Sequence, residues 1–73
     1  MLTKEDISVI VDHFLEKLPA VWEDAYNEIV GGKSVNEVVY EMKDGHVLRI
    51  LRRLGYDVEW FIADFIEFMN HDH

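Results

Sequence analysis

Four turn signals divide this chain into five short segments, and no other feature of the sequence constrains its fold as strongly. The signals are Pro19, Gly31-Gly32, Asp44-Gly45 and Gly55. Proline suits the first turn of a helix but breaks its interior, and glycine supplies the positive φ at which many helices end. Each segment should therefore form one short element, and residues 1–73 should form a single domain.

Apolar residues recur at helical spacing inside these segments. Thr3 and Asp6 approximate a capping box before the first helix, and Ser34 with Glu37 matches a full capping box before the third. Asp57 is placed to cap the last helix. The clearest apolar stripe belongs to that last helix and consists of Val58, Phe61, Ile62, Phe65, Ile66 and Met69. We therefore predict an all-α protein, a compact bundle of about five short helices.

A β-hairpin around residues 38–51 is the alternative to the third and fourth helices. Val38-Val39-Tyr40 is rich in residues that favour strands, and Asp44-Gly45 is a strong two-residue hairpin signal. Pairing residues 38–43 with residues 46–51 would make the fold α+β. The capping signal at Ser34 favours the helices.

The charge is strongly negative and unevenly distributed. Net charge is -8 at pH 7, with seven Lys and Arg against fifteen Asp and Glu. Residues 1–32 and residues 54–73 each carry -5, whereas residues 33–53 carry +2. Such a balance repels phosphate backbones and anionic lipid and attracts basic protein surfaces. We expect a protein partner with a basic surface, and no direct binding to nucleic acid or to membranes.

A DNA-binding helix-turn-helix centred on Gly45 does not fit the residues around it. The position four residues before the glycine should be small so that the two helices can approach, and it is Glu41. Asp44 and His46 flank the glycine where apolar residues should face the core. These mismatches agree with the charge in arguing against DNA recognition.

Residues suited to catalysis or metal binding are sparse. Cysteine is absent, and neither Ser8 nor Ser34 lies in the kind of turn that presents a nucleophile. The tail His71-Asp72-His73 offers two imidazoles, but a chain end lacks the rigid surroundings that orient metal ligands. We predict no enzymatic activity, no cofactor and no metal site.

The sequence also indicates where the protein resides. Acidic residues follow the first methionine closely, without the apolar region of a signal peptide. No apolar run approaches the roughly 18 residues that a membrane helix needs. The absence of cysteine fits a reducing compartment, so we expect a cytoplasmic protein.

Trp60 is the most informative single residue. On a helical wheel it falls opposite the apolar stripe of the last helix, close to Asp64 and Glu67, with Asp57 at the border and Phe68 just outside the stripe. Tryptophan is enriched at the centres of interfaces, and the carboxylates would select a basic partner. We predict that these five residues bind a partner; the alternative is that Trp60 packs against the N-terminal segment or a loop.

A second candidate patch lies on the fourth helix. Arg49, Arg52 and Arg53 gather with His46 on the face away from Val47, Ile50 and Leu51. They are either solvated or paired within the chain, or they grip a carboxylate-rich partner or a second copy of this protein. Leu48 lies off the apolar stripe and is a candidate for a homodimer contact.

These observations predict a non-catalytic, acidic protein that binds a basic surface of a partner protein as a regulator or inhibitor. Carboxylates on rigid helices can imitate a phosphate array, so one form of this function is nucleic-acid mimicry. An inhibitor of a nucleic-acid-handling protein, encoded by a mobile element, would be an example. The alternative is an adaptor or structural subunit of a larger assembly.

Overall fold

Five α-helices follow one another along the computed structural model, which describes residues 1–71. They are α1 (Lys4–Leu15), α2 (Leu18–Val30), α3 (Val35–Asp44), α4 (His46–Arg53) and α5 (Glu59–Asn70). The predicted all-α fold is confirmed. The hairpin alternative is wrong, because residues 38–43 lie in α3 and residues 46–51 lie in α4. Gly45 joins these helices with φ -71° and ψ 158°, not with the positive φ of a two-residue hairpin turn.

Side-chain caps start two of the helices. The Thr3 hydroxyl accepts from the backbone N–H of Asp6, and the Asp6 carboxylate accepts from the N–H of Thr3, both at 3.1 Å. The approximate capping box of the sequence is thus complete. At α3 the Ser34 hydroxyl accepts from the N–H of Glu37 at 3.2 Å, and the structure shows only this half of the box expected there.

Glycines end α2 and α4 in the way that the sequence predicts. Gly32 has φ 116° and Gly55 has φ 86°. The residue after each glycine turns back on its helix, because the N–H of Lys33 donates to the carbonyl of Glu28 and the N–H of Tyr56 to that of Leu51. These bonds satisfy carbonyls that a helix end leaves without an intrahelical partner.

The core is built around α3, which packs against α2, α4 and α5, while α1 packs on α4. Most of the predicted stripe of α5 is fully buried, and Ile66 and Met69 are partly buried at its end. The buried residues are Leu18, Ala25, Val38, Val39, Met42, Leu48, Leu51, Val58, Phe61, Ile62 and Phe65. All of these are apolar, so within residues 1–71 no polar side chain needs a buried hydrogen-bond partner.

Leu48 belongs to this core, and its predicted role in a homodimer contact is wrong. Its side chain is 1% exposed. The helix wheel placed it off the apolar stripe, but α4 is covered by α3 on one side and by α1 on another. A helix of eight residues that is packed on two sides buries more than one stripe.

The molecule is elongated, measuring 44 by 18 by 16 Å. Its radius of gyration is 13.5 Å, compared with about 11 Å for a spherical domain of this length. Helix α1 contributes no fully buried residue, so it is the least covered of the five helices. Among the described residues, none of the helices combines the length and the apolar character needed to cross a membrane.

Candidate functional site

An apolar groove lies between the junction of α1 with α2 and the start of α5. Its volume is 580 Å³, compared with 260 and 230 Å³ for two other clefts. The residues that line the groove are Leu15, Leu18, Pro19, Trp22, Tyr56, Trp60 and Phe61. None of them carries a formal charge, so the groove suits an apolar side chain better than a polar ligand.

Local signals in two separate parts of the sequence create the groove. Pro19 occupies the first turn of α2 and redirects the chain after α1. On the opposite wall, Gly55 ends α4 and the Asp57 carboxylate accepts from the backbone N–H of Glu59 at 2.9 Å, which starts α5. Tyr56 and Trp60 therefore lie on either side of this short connection and face the groove.

Trp60 is partly covered and partly open. Its side chain is 45% exposed, and its ring meets the ring of Phe61 edge-on with centroids 5.8 Å apart. The sequence placed it on a bare polar face, whereas the structure makes it one wall of the groove. A large aromatic ring at the edge of an apolar groove is a common arrangement for an anchor in protein binding, and that role stays a prediction.

Phe68 lies closer to α2 than the helix wheel suggested. It is 37% exposed, and its ring is 5.5 Å from Trp22 and 6.2 Å from Tyr26, between centroids. Trp22 also contacts Phe61 and lines the groove, so it links Phe68 to the surface around Trp60. Helical spacing alone puts Trp22 on an apolar face of α2, and its contacts with three rings of α5 could not be read from that spacing.

Exposed carboxylates are frequent near the groove residues in sequence. Of the three predicted ones, the Asp57 carboxylate binds the start of α5, Glu67 lies 3.7 Å from the imidazole of His71, and the Asp64 carboxylate forms neither a hydrogen bond nor an ion pair within residues 1–71. Three further exposed carboxylates were not among the predicted ones: Glu16, Glu23 and Glu59 each directly follow or precede a groove residue. Lys17 is the one cation among these neighbours.

The predicted arginine patch on α4 separates into two parts. The Arg52 guanidinium donates to the backbone carbonyl of Lys43, near the end of α3, and so stabilises the turn between the helices. Arg49 and Arg53 instead line the 230 Å³ cleft together with His46 and Ile50, so the prediction that Ile50 lies on the opposite face from these residues is wrong. The sequence grouped all three arginines because it could not show which of them reaches back to α3.

The remaining cleft lies between α2, α3 and α4 and is bordered by Asp24, Glu28 and Glu41. Two of these carboxylates already bind Lys33, whose ammonium is 2.8 Å from Glu41 and 3.8 Å from Glu28. The hydrogen bonds that the Lys33 ammonium donates to the Glu41 carboxylate raise the pKa of Lys33 above its ordinary value. Residues 1–71 contain no group of three His, Cys, Asp or Glu arranged to hold a metal ion, and His73 of the predicted tail lies outside them.

Comparison with protein-family models, with curated proteins and with solved structures finds no match for this chain. Function is therefore argued from the groove, from the side chains that line it and from the charges around it.

Proposed function

We propose that this protein is a non-catalytic regulator or inhibitor that binds a partner protein through the groove beside Trp60. An apolar side chain on a basic surface of the partner enters the groove. One observation carries this proposal: a half-exposed tryptophan forms the wall of a 580 Å³ apolar groove, and the charged residues next to the groove residues in sequence are all carboxylates except Lys17.

The apolar lining supplies affinity. Removing apolar surface from water contributes about 25 cal/mol per Å² before the costs of association. Binding energy concentrates on a few aromatic anchors that sit in well-packed pockets, with polar residues around them that exclude water. Trp60, Tyr56 and Trp22 provide three such rings in one groove.

The carboxylates supply selectivity for charge. Glu16, Glu23 and Glu59 adjoin the groove in sequence, and Asp64 lies one turn beyond Trp60 on α5. Together with the net charge of -8, they favour a partner that surrounds its apolar anchor with Lys and Arg. Such charge complementarity raises the association rate and disfavours acidic competitors.

A narrower form of this proposal is nucleic-acid mimicry. In that form the basic partner surface is a groove that otherwise binds DNA or RNA, and the carboxylates of α2 and α5 occupy the positions of phosphates. The exposed carboxylates on these rigid helices support it. The partner would then be a nucleic-acid-handling protein.

Affinity capture from a native-like lysate, followed by binding measurements on the purified partner, tests the proposal. Trp60→Ala should weaken binding by about 2 kcal/mol or more, as the loss of an aromatic anchor does. Tyr40→Ala is the matched control, because Tyr40 is an exposed aromatic residue of α3 that does not line the groove. Equal effects of the two substitutions would contradict the groove as binding site.

A second pair of variants tests the proposed role of the carboxylates in selecting a basic partner. Asp64→Lys should slow association and reduce its dependence on salt, because a carboxylate near the groove becomes a cation. Asp44→Lys makes the same change of charge at the end of α3 and should have a smaller effect. If Asp64→Lys leaves the association rate unchanged, the proposal that the partner has a basic surface is wrong. Capture of a stoichiometric set of structural subunits would favour the alternative, an adaptor or subunit of an assembly.

A further inference from the structure

We infer that α4 carries a second binding surface, of opposite charge to the first, and that this surface binds the acidic outer face of α5 on a second copy of the chain. The cationic surface consists of His46, Arg49 and Arg53 around Ile50. The acidic face consists of Trp60, Asp64 and Glu67. This inference goes beyond the proposed function because it requires no foreign partner.

The cationic surface has unused binding capacity. Its four residues line a cleft of 230 Å³, and α4 contains no acidic residue. Although the chain has fifteen Asp and Glu, the side chains of Arg49 and Arg53 form neither an ion pair nor a hydrogen bond within residues 1–71. Arg52, which directly precedes Arg53, donates a hydrogen bond to the Lys43 carbonyl of α3, so it does not contribute to this surface.

Ile50 gives the surface an apolar centre. It is partly exposed, and it lies outside the apolar cluster that forms the core. His46 is held beside it by an edge-on contact with Phe14 of α1, with ring centroids 6.0 Å apart. An apolar residue between cations suits an acidic partner helix that also carries an apolar residue.

The outer face of α5 has this complementary pattern. Trp60, Asp64 and Glu67 are exposed on successive turns, and the Asp64 carboxylate has no hydrogen bond or ion pair among the described residues. A helix rises 1.5 Å per residue, so Arg49 and Arg53 are about 6 Å apart along α4 while Asp64 and Glu67 are about 4.5 Å apart along α5. Long arginine side chains span that difference, and Trp60 remains available to cover Ile50.

The net charge of -8 opposes contact between two copies, but only over long distances. The Debye length is about 30 Å at 0.01 M salt and about 8 Å at 0.15 M. In a molecule 44 Å long, charges away from the contact are therefore screened at physiological salt, whereas the contacting groups are not. Association should be strongest near 0.15 M salt and weaker at both 0.01 M and 1 M.

Sedimentation equilibrium of three forms tests this contact. Wild type should associate with a Kd on the order of 0.1 to 1 mM, as expected for a small polar interface. The pair Arg49→Glu with Arg53→Glu should be monomeric, and so should the pair Asp64→Lys with Glu67→Lys. An equimolar mixture of the two variants should form a 1:1 complex, because the unaltered α4 of the second variant meets the unaltered α5 of the first, and the two charge-reversed faces are also complementary to each other.

Circular dichroism checks that both variants keep the helical content of wild type, which is expected because all four positions are exposed. Wild type that stays monomeric at protein concentrations of about 0.1 to 1 mM and at 0.15 M salt would overturn the inference. A mixture that fails to associate would also overturn it. Binding of a duplex DNA probe that is lost with Arg49→Glu and Arg53→Glu would assign the cationic surface to nucleic acid instead. Trp60 and Asp64 belong to both surfaces, so the pair Arg49→Glu with Arg53→Glu separates the two proposals: it should abolish self-association and leave capture of a basic partner by the Trp60 groove intact.

Discussion

The indole of Trp22 packs edge-on against the ring of Phe65, with centroids 5.0 Å apart and ring planes at 86°. Phe65 is fully buried in the core, whereas Trp22 is partly exposed and reaches the groove. One side chain of α2 therefore connects the centre of the core to the candidate binding surface. The shape of the groove depends on the packing of α5, and this connection can be measured.

The contact between Trp22 and Phe65 should appear as a coupling free energy. Edge-to-face aromatic pairs contribute about 0.5–1.5 kcal/mol beyond the burial of their area. In a double-mutant cycle of Trp22→Leu and Phe65→Leu, urea unfolding should give a coupling of about 1 kcal/mol. Tyr40→Leu combined with Phe65→Leu is the control and should be additive, because Tyr40 is exposed on the surface. Additivity in both cycles would mean that the rings pack without specific interaction.

Trp60 and Phe65 should differ in their contribution to stability. Phe65→Ala leaves a cavity in the core and should lower the free energy of unfolding by about 3–5 kcal/mol. Trp60→Ala removes a ring that is 45% exposed, and it should cost only on the order of 1 kcal/mol. Thermal and urea unfolding measure both. A loss of stability as large as that of Phe65→Ala would identify Trp60 as a core residue.

Gly55 should be the more sensitive of two helix-ending glycines to replacement by alanine. Gly55 has φ 86°, and a Cβ there would meet no atom within 4 Å, so the only cost is the backbone conformation. Placing an L-residue in the left-handed region costs about 1–2 kcal/mol. Gly31 has φ -75°, so Gly31→Ala should change stability by less than about 0.5 kcal/mol. Equal melting temperatures would show that α4 can end in another way.

Arg52 and Arg53 are neighbours with different roles in stability. Arg52→Ala removes the bond from the guanidinium to the Lys43 carbonyl and should destabilise the protein by about 1 kcal/mol, since the bond is exposed to solvent. Arg53→Ala removes a side chain without a hydrogen bond or ion pair in residues 1–71 and should stay within about 0.5 kcal/mol of wild type. Chemical denaturation of the two variants gives the comparison, and the opposite order would contradict it.

Lys33 should make stability depend on alkaline pH. Its folded pKa is raised above the ordinary 10.5, first by the hydrogen bond that it donates to Glu41 and further by the charges of Glu28, Glu41 and Glu37. A raised pKa in the folded state means that the stabilisation is complete below pH 10.5 and is lost as the pH rises through the folded pKa. Glu41→Gln should therefore flatten the alkaline decline of the unfolding free energy. Parallel curves for the two proteins would show that the ion pair does not stabilise the fold.

The helices and their ends could be predicted from the sequence because local interactions determine them. The caps at Thr3 and Ser34 and the positive φ of Gly32 and Gly55 each depend on a few neighbouring residues. The apolar stripe of α5 also follows from local spacing, and its central residues are indeed in the core. The half-exposed position of Trp60 agrees partly with its place on the wheel, since the ring is neither bare nor buried.

Only the tertiary structure determined which residues form the surfaces. Leu48 is a core residue because α1 and α3 both cover α4. Arg52 is not part of the cationic surface because its guanidinium donates to the carbonyl of Lys43. The groove joins residues 15–22 to residues 56–61, which are far apart in sequence. Sequence spacing determines which side of a helix a residue occupies, but the burial of that side depends on which other helices pack there. The packing of the helices depends on burying apolar area over the whole chain, so it cannot be predicted from a local sequence pattern.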